Sequence, residues 1–365
     1  MAIVKSIKNL RMGARFKTMP EYIVAALIAM ACVIILTPAV IKLAIHTGAV
    51  DKPDARKVHK SPIPRIGGLG IYISFMIATF VTVSTSNLDG ESMHEIMGLI
   101  VSGSLIVLIG LVDDYKNLPA KVKLLGQILA AIVFVICFDV KIDVITNPFL
   151  GDYIYLEWIA APATIFWLVG LTNTVNLIDG LDGLAAGVSA IASITILLVA
   201  LKQNFFLVSI LTAALAGSAF GFLFYNSHPA KIFMGDTGSM FFGFMLAGIS
   251  VIGAFKSTAT IALIVPILAL GLPILDTTFA IVRRYRGGQP IFKPDKGHLH
   301  HRLLSLGFTH RQAVLLMYVI SALLGVSAVA LTEVNSQIAI LILIIVVIAV
   351  IYGAKKIGVL RLRRE

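Results

Sequence analysis

Residues 205–225 read FFLVSILTAALAGSAFGFLFY, a run without a single charged side chain. A helix of about 20 apolar residues is long enough to cross the hydrocarbon core of a bilayer. The run lacks the alternation of apolar and polar residues that marks a strand of a membrane β-barrel. Because backbone groups in lipid must form their hydrogen bonds internally, the stretch predicts a transmembrane helix.

Apolar runs of this kind recur along the whole chain. The 365 residues are 58% hydrophobic and 13% charged, whereas a soluble domain carries about 25% charged residues. We therefore predict an all-α, polytopic membrane bundle of about eleven transmembrane helices, forming one domain over residues 1–365. The predicted spans are 22–45, 67–86, 97–112, 122–140, 158–175, 183–201, 205–225, 238–254, 258–282, 313–331 and 336–353.

The distribution of basic residues predicts the orientation of these spans. A cytoplasmic C-terminus places 21 Lys and Arg residues in inside loops and 8 outside, in agreement with the positive-inside rule. The basic segment 1–20 then lies outside, which argues for the opposite orientation. The net charge of +11 suits anionic partners such as membrane lipids, lipid phosphates and nucleotides. No nucleic-acid-binding motif is present, so no nucleic acid is expected.

Acidic and histidine residues gather in the loops predicted to be inside and at the adjoining span ends. An ion-coupled transporter is expected to carry ionisable residues near the middle of its spans. A membrane scaffold protein needs no ordered set of acidic clusters. The crowding at one interface favours an enzyme whose active site opens to the cytoplasm, with a transporter as the alternative.

A pair of carboxylates ends the third predicted span. Asp113 and Asp114 stand in the segment GLVDDYKN, residues 110–117. Adjacent carboxylates shift one another's pKa, so one can act as a base, and together they can hold a divalent cation. The alternative is a solvated helix end, although acidic residues at a helix C-terminus oppose the helix dipole.

Two further acidic segments lie in other inside loops. In residues 173–184, NTVNLIDGLDGL, the residues Asn176, Asp179 and Asp182 are three apart and would share one face of a helix. In residues 233–239, FMGDTGS, Asp236 precedes an apolar span. Asp182 and Asp236 are also suited to cap a helix N-terminus. Together with the pair Asp113 and Asp114, these two segments place three acidic clusters on the same side, which favours a cation or phosphate site.

Two basic loops complete the candidate site. The loop 283–312 carries an arginine cluster and, at 298–301, a cluster of three histidines, and the loop 51–68 pairs prolines with basic residues. Arginine and lysine suit phosphate, and no metal-binding HExxH motif is present. The candidate residues are Arg284, His298, His300 and His301 in the first loop and Lys60 and Arg65 in the second.

Five segments in order resemble the polyprenyl-phosphate N-acetylhexosamine-1-phosphate transferase superfamily, glycosyltransferase family 4. They are HKSPIPRIGG (59–68), VDDYKN (112–117), NLIDGLDGL (176–184), FMGDTGS (233–239) and GHLHH (297–301). The resemblance implies a helical bundle in a bacterial inner membrane, a cytoplasmic active site and a Mg²⁺ cofactor, with Mn²⁺ as an alternative. The GHLHHR pattern is most similar to the branch that uses UDP-GlcNAc and undecaprenyl phosphate.

The resemblance also implies roles for single residues. Asp236 is expected to bind Mg²⁺, with Asp114 as a second metal ligand. Catalytic roles are expected for Asp113, Asp114, Asp182 and His298. Phe233 is expected to stack on uracil, with Asn226 and Asp179 beside the uridine. The remaining pocket residues are expected to be Lys60, Arg65, Asn176, Arg284, His300 and His301. Asn117 stands where the family often has a third aspartate.

The implied reaction forms undecaprenyl-diphosphate-GlcNAc and UMP, the first membrane step of a cell-surface glycan of the teichoic acid or O-antigen type. The alternative donor is another UDP-N-acetylhexosamine, such as the one that supplies phospho-MurNAc-pentapeptide. The sequence leaves open the oligomeric state, including a homodimer.

Overall fold

The computed structural model describes residues 19–51, 62–86, 88–146, 153–255, 264–290 and 297–358. Its helices are α1 Glu21–Thr47, α2 Gly67–Thr85, α3 Gly90–Lys116, α4 Ala120–Ile132, α5 Ala160–Ile178, α6 Leu184–Lys202, α7 Phe206–Asn226, α8 Gly235–Phe255, α9 Ile264–Ala269, α10 Gly271–Arg286, α11 Leu299–Ser305, α12 His310–Leu331 and α13 Ser336–Ile357. A π-helical turn, Val133–Cys137, extends α4, and a 3₁₀ turn, Glu157–Ile159, precedes α5.

Within these described ranges, ten helices are long and apolar enough to cross a membrane. They are α1 to α8, α12 and α13, with α4 and α5 counted together with their flanking turns. The all-α, polytopic architecture predicted from the apolar runs is therefore confirmed. From α1 to α8 consecutive spans run in alternating directions, so the C-terminal ends of α1, α3, α5 and α7 lie at the same end of the bundle. Helix α12 also begins at that end, because His310 stacks on His228 after α7.

The predicted span 258–282 is wrong as a single continuous helix. Its described part consists of the short helix α9 and the helix α10, which meet at Leu270. Pro273 has no backbone N–H to donate to the carbonyl of Ala269, and its ring clashes with that carbonyl in a continuous helix. The α-helical ladder therefore ends at α9 and starts again at Gly271. The remaining predicted residues, 258–263, lie outside the described part of the chain.

Helices α7 and α8 form the centre of the bundle. Both are buried along most of their length, and Phe222, Phe241 and Phe244 are among the largest fully buried side chains. The last helix, α13, differs because it exposes a broad apolar surface that includes Ile344 and Ile348. Such a surface suits contact with lipid hydrocarbon.

Close helix contacts at the start of α8 require glycine. A Cβ atom on Gly68, at the start of α2, would lie 2.0 Å from the backbone nitrogen of Gly238. The backbone amide of Gly68 donates to the carbonyl of Met234 at 2.8 Å, and that of Phe233 donates to the carbonyl of Pro64 at 2.8 Å. The loop before α2 is thus fastened to the loop before α8.

Two short hairpins lie at opposite ends of the bundle. Strand β1, Val50–Asp51, pairs antiparallel with β2, Ile63–Pro64, beside the loop that leads into α8. Strand β3, Val144–Thr146, pairs antiparallel with β4, Tyr153–Tyr155, between α4 and α5. The end that carries β1 and β2 also carries the acidic segments.

Candidate active site

Lys123 joins two of the predicted acidic residues. Its Nζ lies 2.7 Å from Oδ2 of Asp236, at the start of α8, and 3.1 Å from Oδ2 of Asp113, in the last turn of α3. The other oxygen of Asp113 accepts the backbone amide of Leu118 at 2.6 Å. Sequence reasoning missed Lys123, because a lysine beside a span is explained by the positive-inside rule. The sequence signal that could have identified Lys123 as a site residue was its position in the first turn of α4.

Asp114 caps the N-terminus of α8. Its Oδ1 accepts the backbone amide of Asp236 at 3.0 Å, and its Oδ2 accepts the amide and the hydroxyl of Thr237 at 3.0 and 2.6 Å. Nε of Arg65 lies 3.5 Å from Oδ1, so a cation stands beside the buried carboxylate. Gly235 has a positive φ of 68°, and a Cβ there would meet Oδ2 of Asp114 at 2.5 Å. The contacts of Asp114 therefore hold the turn that presents Asp236.

Asn176 extends this group from the last turn of α5. Its Nδ2 donates to Oδ1 of Asp236 at 3.1 Å and to the hydroxyl of Ser239 at 2.8 Å. Each oxygen of the Asp236 carboxylate therefore has a donor on a different helix. The predicted residues Asp113, Asp114, Asn176 and Asp236 converge at one end of the bundle, together with Arg65.

Asp179 lies just beyond the end of α5. Desolvation by burial, together with the charges of Asp236, Asp114 and Asp182, raises the pKa of Asp179 to about 8. The surrounding carboxylates thus create an excess of negative potential at this position. A cation or a group with hydrogen-bond donors would relieve it.

Two predicted residues brace the loops around Asp179. Asn226 accepts the backbone amide of Gly183 at 3.1 Å and donates to the carbonyl of Ile232 at 2.9 Å, so its buried amide joins the two loops. Asp182 contacts Nδ1 of His228 at 2.7 Å and accepts the amide of Ala230 at 3.2 Å. Asn226 and Asp182 thus hold in place the loop that carries Asp179.

The histidine loop is anchored by Asp276 of α10. Oδ1 of Asp276 accepts the amide of Leu299 at 2.7 Å, and Oδ2 contacts Nδ1 of His298 at 2.9 Å. This contact fixes the orientation of the His298 ring. Asp276, like Lys123, is a site residue that the sequence did not identify.

His300 brings the same loop against the acidic segment after α5. A Cβ on Gly180 would lie 2.4 Å from Nε2 of His300, so the absence of a side chain at Gly180 admits the ring. Burial, with the charges of His301 and His298, lowers the pKa of His300 to about 4. His300 is therefore neutral at pH 7. The ring centroids of His300 and His301 lie 4.2 Å apart.

Three other residues were predicted for the site: Phe233, Arg284 and Lys60. Phe233 is half-buried in the loop before α8, where its backbone pairs with residues 64–67. Arg284 is half-buried in the last turn of α10. Lys60 lies outside the described residues, as does the N-terminal segment up to residue 18.

The donor set at Asp113 and Asp236 fits a hard divalent cation. The two carboxylates already share one positive group, the ammonium of Lys123, so their spacing accommodates a cation between them. Carboxylate oxygens are the ligands that Mg²⁺ prefers. Asp114 fits less well as a ligand, because both of its oxygens accept hydrogen bonds from the start of α8.

Within the described residues, ten helices long and apolar enough to span a membrane and a carboxylate cluster at one end of the bundle define a multi-pass membrane protein with a polar site at that end. Residues 96–254 match the model of the family described as glycosyl transferase family 4. The chain belongs to this family, whose members are phospho-sugar transferases.

Three relatives support this assignment. The chain is 42% identical to the probable undecaprenyl-phosphate N-acetylglucosaminyl 1-phosphate transferase of Bacillus subtilis (strain 168), over 90% of each chain. It is 38% identical to the decaprenyl-phosphate N-acetylglucosaminephosphotransferase of Mycobacterium leprae, over 76% of this chain and 75% of the relative. It is 33% identical to the phospho-N-acetylmuramoyl-pentapeptide-transferase of Halalkalibacterium halodurans, over 74% and 84% respectively.

Proposed function

We propose that this chain transfers GlcNAc-1-phosphate from UDP-GlcNAc to undecaprenyl phosphate, in a reaction that depends on Mg²⁺ or, as an alternative, Mn²⁺. The observation that carries the proposal is the shared cation position between Asp113 and Asp236. The similarity to the Bacillus subtilis relative over 90% of the chain supports the choice of donor and acceptor. The site lies on the cytoplasmic face of a bacterial inner membrane in this proposal, where a soluble nucleotide and a lipid phosphate meet.

Lys123, together with a cation held by the carboxylates around it, would bind and orient the diphosphate. When bound, Mg²⁺ supplies charge neutralisation for the diphosphate and for the leaving phosphate. Asp113 and Asp236 would hold the ion, and Lys123, which contacts both carboxylates, would add a second positive charge beside it. Asn176 keeps the Asp236 carboxylate in place. Asp114 acts as the residue that positions the start of α8, and its role as a second metal ligand stays a prediction.

The reaction proceeds as a direct displacement. An oxygen of the lipid phosphate attacks the β-phosphorus of UDP-GlcNAc, the bond from that phosphorus to the bridging oxygen breaks, and UMP leaves with the bond electrons. The second pKa of a phosphate monoester is about 6, so the acceptor is mostly a dianion at neutral pH. Little base catalysis is needed, and alignment and charge neutralisation dominate. Asp113, held by Lys123 and the amide of Leu118, is suited to positioning the acceptor.

An apolar cavity of about 280 Å³ offers a place for part of the acceptor's hydrocarbon chain. It lies among α10, α12 and α13, and its lining includes Phe279, Leu324, Val350 and Gly353. Asp276, which holds His298, also lines the cavity. A chain seated there would lead from the bilayer towards the histidine loop.

The test is the release of UMP by purified protein given undecaprenyl phosphate, UDP-GlcNAc and Mg²⁺. We expect UMP to require the lipid and the metal, and to fall by at least about 100-fold in Asp236→Asn, the size of effect that removal of one electrostatic group in an active site produces. Asp139→Asn is the matched control, because this exposed carboxylate pairs with Lys141 at the opposite end of the bundle. If UMP is released only with a different UDP-N-acetylhexosamine, that compound replaces UDP-GlcNAc as the proposed donor. Absence of UMP from every donor, in folded protein, would overturn the proposal in favour of the transporter alternative.

A second measurement separates direct displacement from a covalent mechanism. In the covalent alternative an aspartate attacks the donor and carries the phospho-sugar. Intact-protein mass spectrometry of protein incubated with UDP-GlcNAc and Mg²⁺ in the absence of lipid should then show the added mass of GlcNAc-phosphate. Direct displacement predicts an unchanged mass and no UMP until the lipid is added.

A further inference from the structure

A cluster of one aspartate and two histidines lies beside the carboxylate site. Asp182 precedes α6, His228 follows α7, and His310 is the first residue of α12. Nδ1 of His228 lies 2.7 Å from Oδ2 of Asp182, and the rings of His228 and His310 are stacked with centroids 4.2 Å apart and planes 19° apart. One ligand atom from each residue falls within 4.8 Å of the others.

Hydrogen bonds alone leave part of this cluster unexplained. Nε2 of His310 is buried and has no hydrogen-bond partner within the described ranges. A buried polar atom without a partner is uncommon and is often explained by an ion or water. The contact between Nδ1 of His228 and Oδ2 of Asp182 holds the imidazole beside the carboxylate, so a metal that binds both residues would replace this hydrogen bond.

We propose that Asp182, His228 and His310 form a site for a borderline-soft transition-metal dication, with Zn²⁺ as the best-fitting example. Two imidazoles and a carboxylate are a common zinc ligand set, and a fourth position stays open for water. The imidazole donors distinguish this site from the all-oxygen set at Asp113 and Asp236, which suits Mg²⁺. Metal binding would draw the three ligand atoms together by side-chain rotation.

The proposed metal would join three segments that are separate in sequence. It would tie the start of α12 to the loop after α7 and to the loop that carries Asp182. Arg311 donates from its guanidinium to the backbone carbonyl of His228 at 3.3 Å, so the same loop is already held from α12 without use of the ring nitrogens. The inference does not rest on the proposed transferase function, because metal binding can be measured without turnover.

The experiment uses full-length protein in detergent, stripped of metal with a chelator and kept in excess Mg²⁺. Zn²⁺ is titrated against a chromophoric chelator, and Co²⁺ is used as a spectroscopic probe. We expect one tightly bound Zn²⁺ that Mg²⁺ does not displace, and a Co²⁺ absorption typical of tetrahedral coordination. The variants are His228→Phe and His310→Phe, which keep an aromatic ring in the stack but remove its nitrogens.

Each phenylalanine variant should lose at least tenfold in Zn²⁺ affinity and should lose the tetrahedral Co²⁺ spectrum. His301→Ala is the matched control, because it tests the second histidine cluster around α11, and His46→Ala tests an exposed histidine at the end of α1. Both controls should bind as the wild type does. Zn²⁺ binding that survives in His310→Phe, or disappears only in His301→Ala, would overturn the proposal, and so would the absence of tight Zn²⁺ binding in the wild type.

Discussion

Replacement of Lys123 by alanine tests the centre of the site. The ammonium group makes two charge-assisted hydrogen bonds, at 2.7 Å to Asp236 and 3.1 Å to Asp113. A hydrogen bond to a charged group contributes about 1.5–3 kcal/mol. About a quarter of the Lys123 side chain is exposed to solvent, so the lower value applies to each bond. The total, about 3 kcal/mol, corresponds to a loss of about 100-fold in kcat/KM, since about 1.4 kcal/mol is one factor of ten.

The assay is UMP release with undecaprenyl phosphate and UDP-GlcNAc at several Mg²⁺ concentrations. Lys123→Arg should retain part of the activity, because it keeps the charge and changes the geometry. Lys121→Ala is the matched control, since Lys121 is exposed on the same first turn of α4 and should leave activity unchanged. A loss of less than about threefold in Lys123→Ala would refute the assignment, because the interaction would then be no stronger than an exposed ion pair.

The remaining predictions concern the cap, the titration of one carboxyl and the apolar cavity. Asp114→Ala should lower the free energy of unfolding by about 3–5 kcal/mol, measured by thermal unfolding in detergent. The control is Asp89→Ala, which removes an exposed helix cap and should cost about 1 kcal/mol. Equal losses in the two variants would contradict a special role for Asp114. The pKa of Asp179 is raised from 3.8 to about 8, so between pH 6 and about 8 the unfolded chain binds fewer protons than the folded one. The metal-free wild type should therefore lose stability as the pH rises through this range. Asp179→Asn should make the stability less dependent on pH. Gly353→Leu adds a side chain where a Cβ meets no atom within 4 Å, and it should raise KM for undecaprenyl phosphate about tenfold, the loss of burial of about two methylene groups, without raising KM for a short-chain acceptor.

The apolar runs were sufficient to predict the membrane-spanning helices, because each helix satisfies its own backbone and only needs length and composition. The run 336–353 illustrates this, since it corresponds to α13, a helix that mostly faces lipid. The break between α9 and α10 was missed, although Pro273 is visible in the sequence. Prolines occur within transmembrane helices as well, and α1 contains Pro38 without interruption. The effect of Pro273 therefore depends on packing that a local pattern does not contain.

The candidate site was predictable to the extent that its residues occupy span ends. Asp114 and Asp236 could be assigned to one side because alternating spans bring their helix ends to the same end of the bundle. The contacts between them could not be assigned, since a carboxylate that caps a helix 122 residues away leaves no local pattern. Lys123 and Asp276 were missed as site residues for the same reason. Each forms its decisive contact with a residue from another helix.

The fixed charges of the site favour the binding of a cation. Among the residues that the structure describes, four carboxylates, on Asp113, Asp114, Asp179 and Asp236, stand against two cations, Lys123 and Arg65. Desolvation by burial, together with this excess of negative charge, raises the pKa of Asp179, because a proton on its carboxylate removes one negative charge. A bound dication would remove the same excess and allow Asp179 to ionise. By linkage, metal binding and the loss of that proton favour each other, so the affinity for Mg²⁺ should rise with pH up to about 8. The imbalance of charge thus contributes both to the expected binding of a cation and to the raised pKa of Asp179.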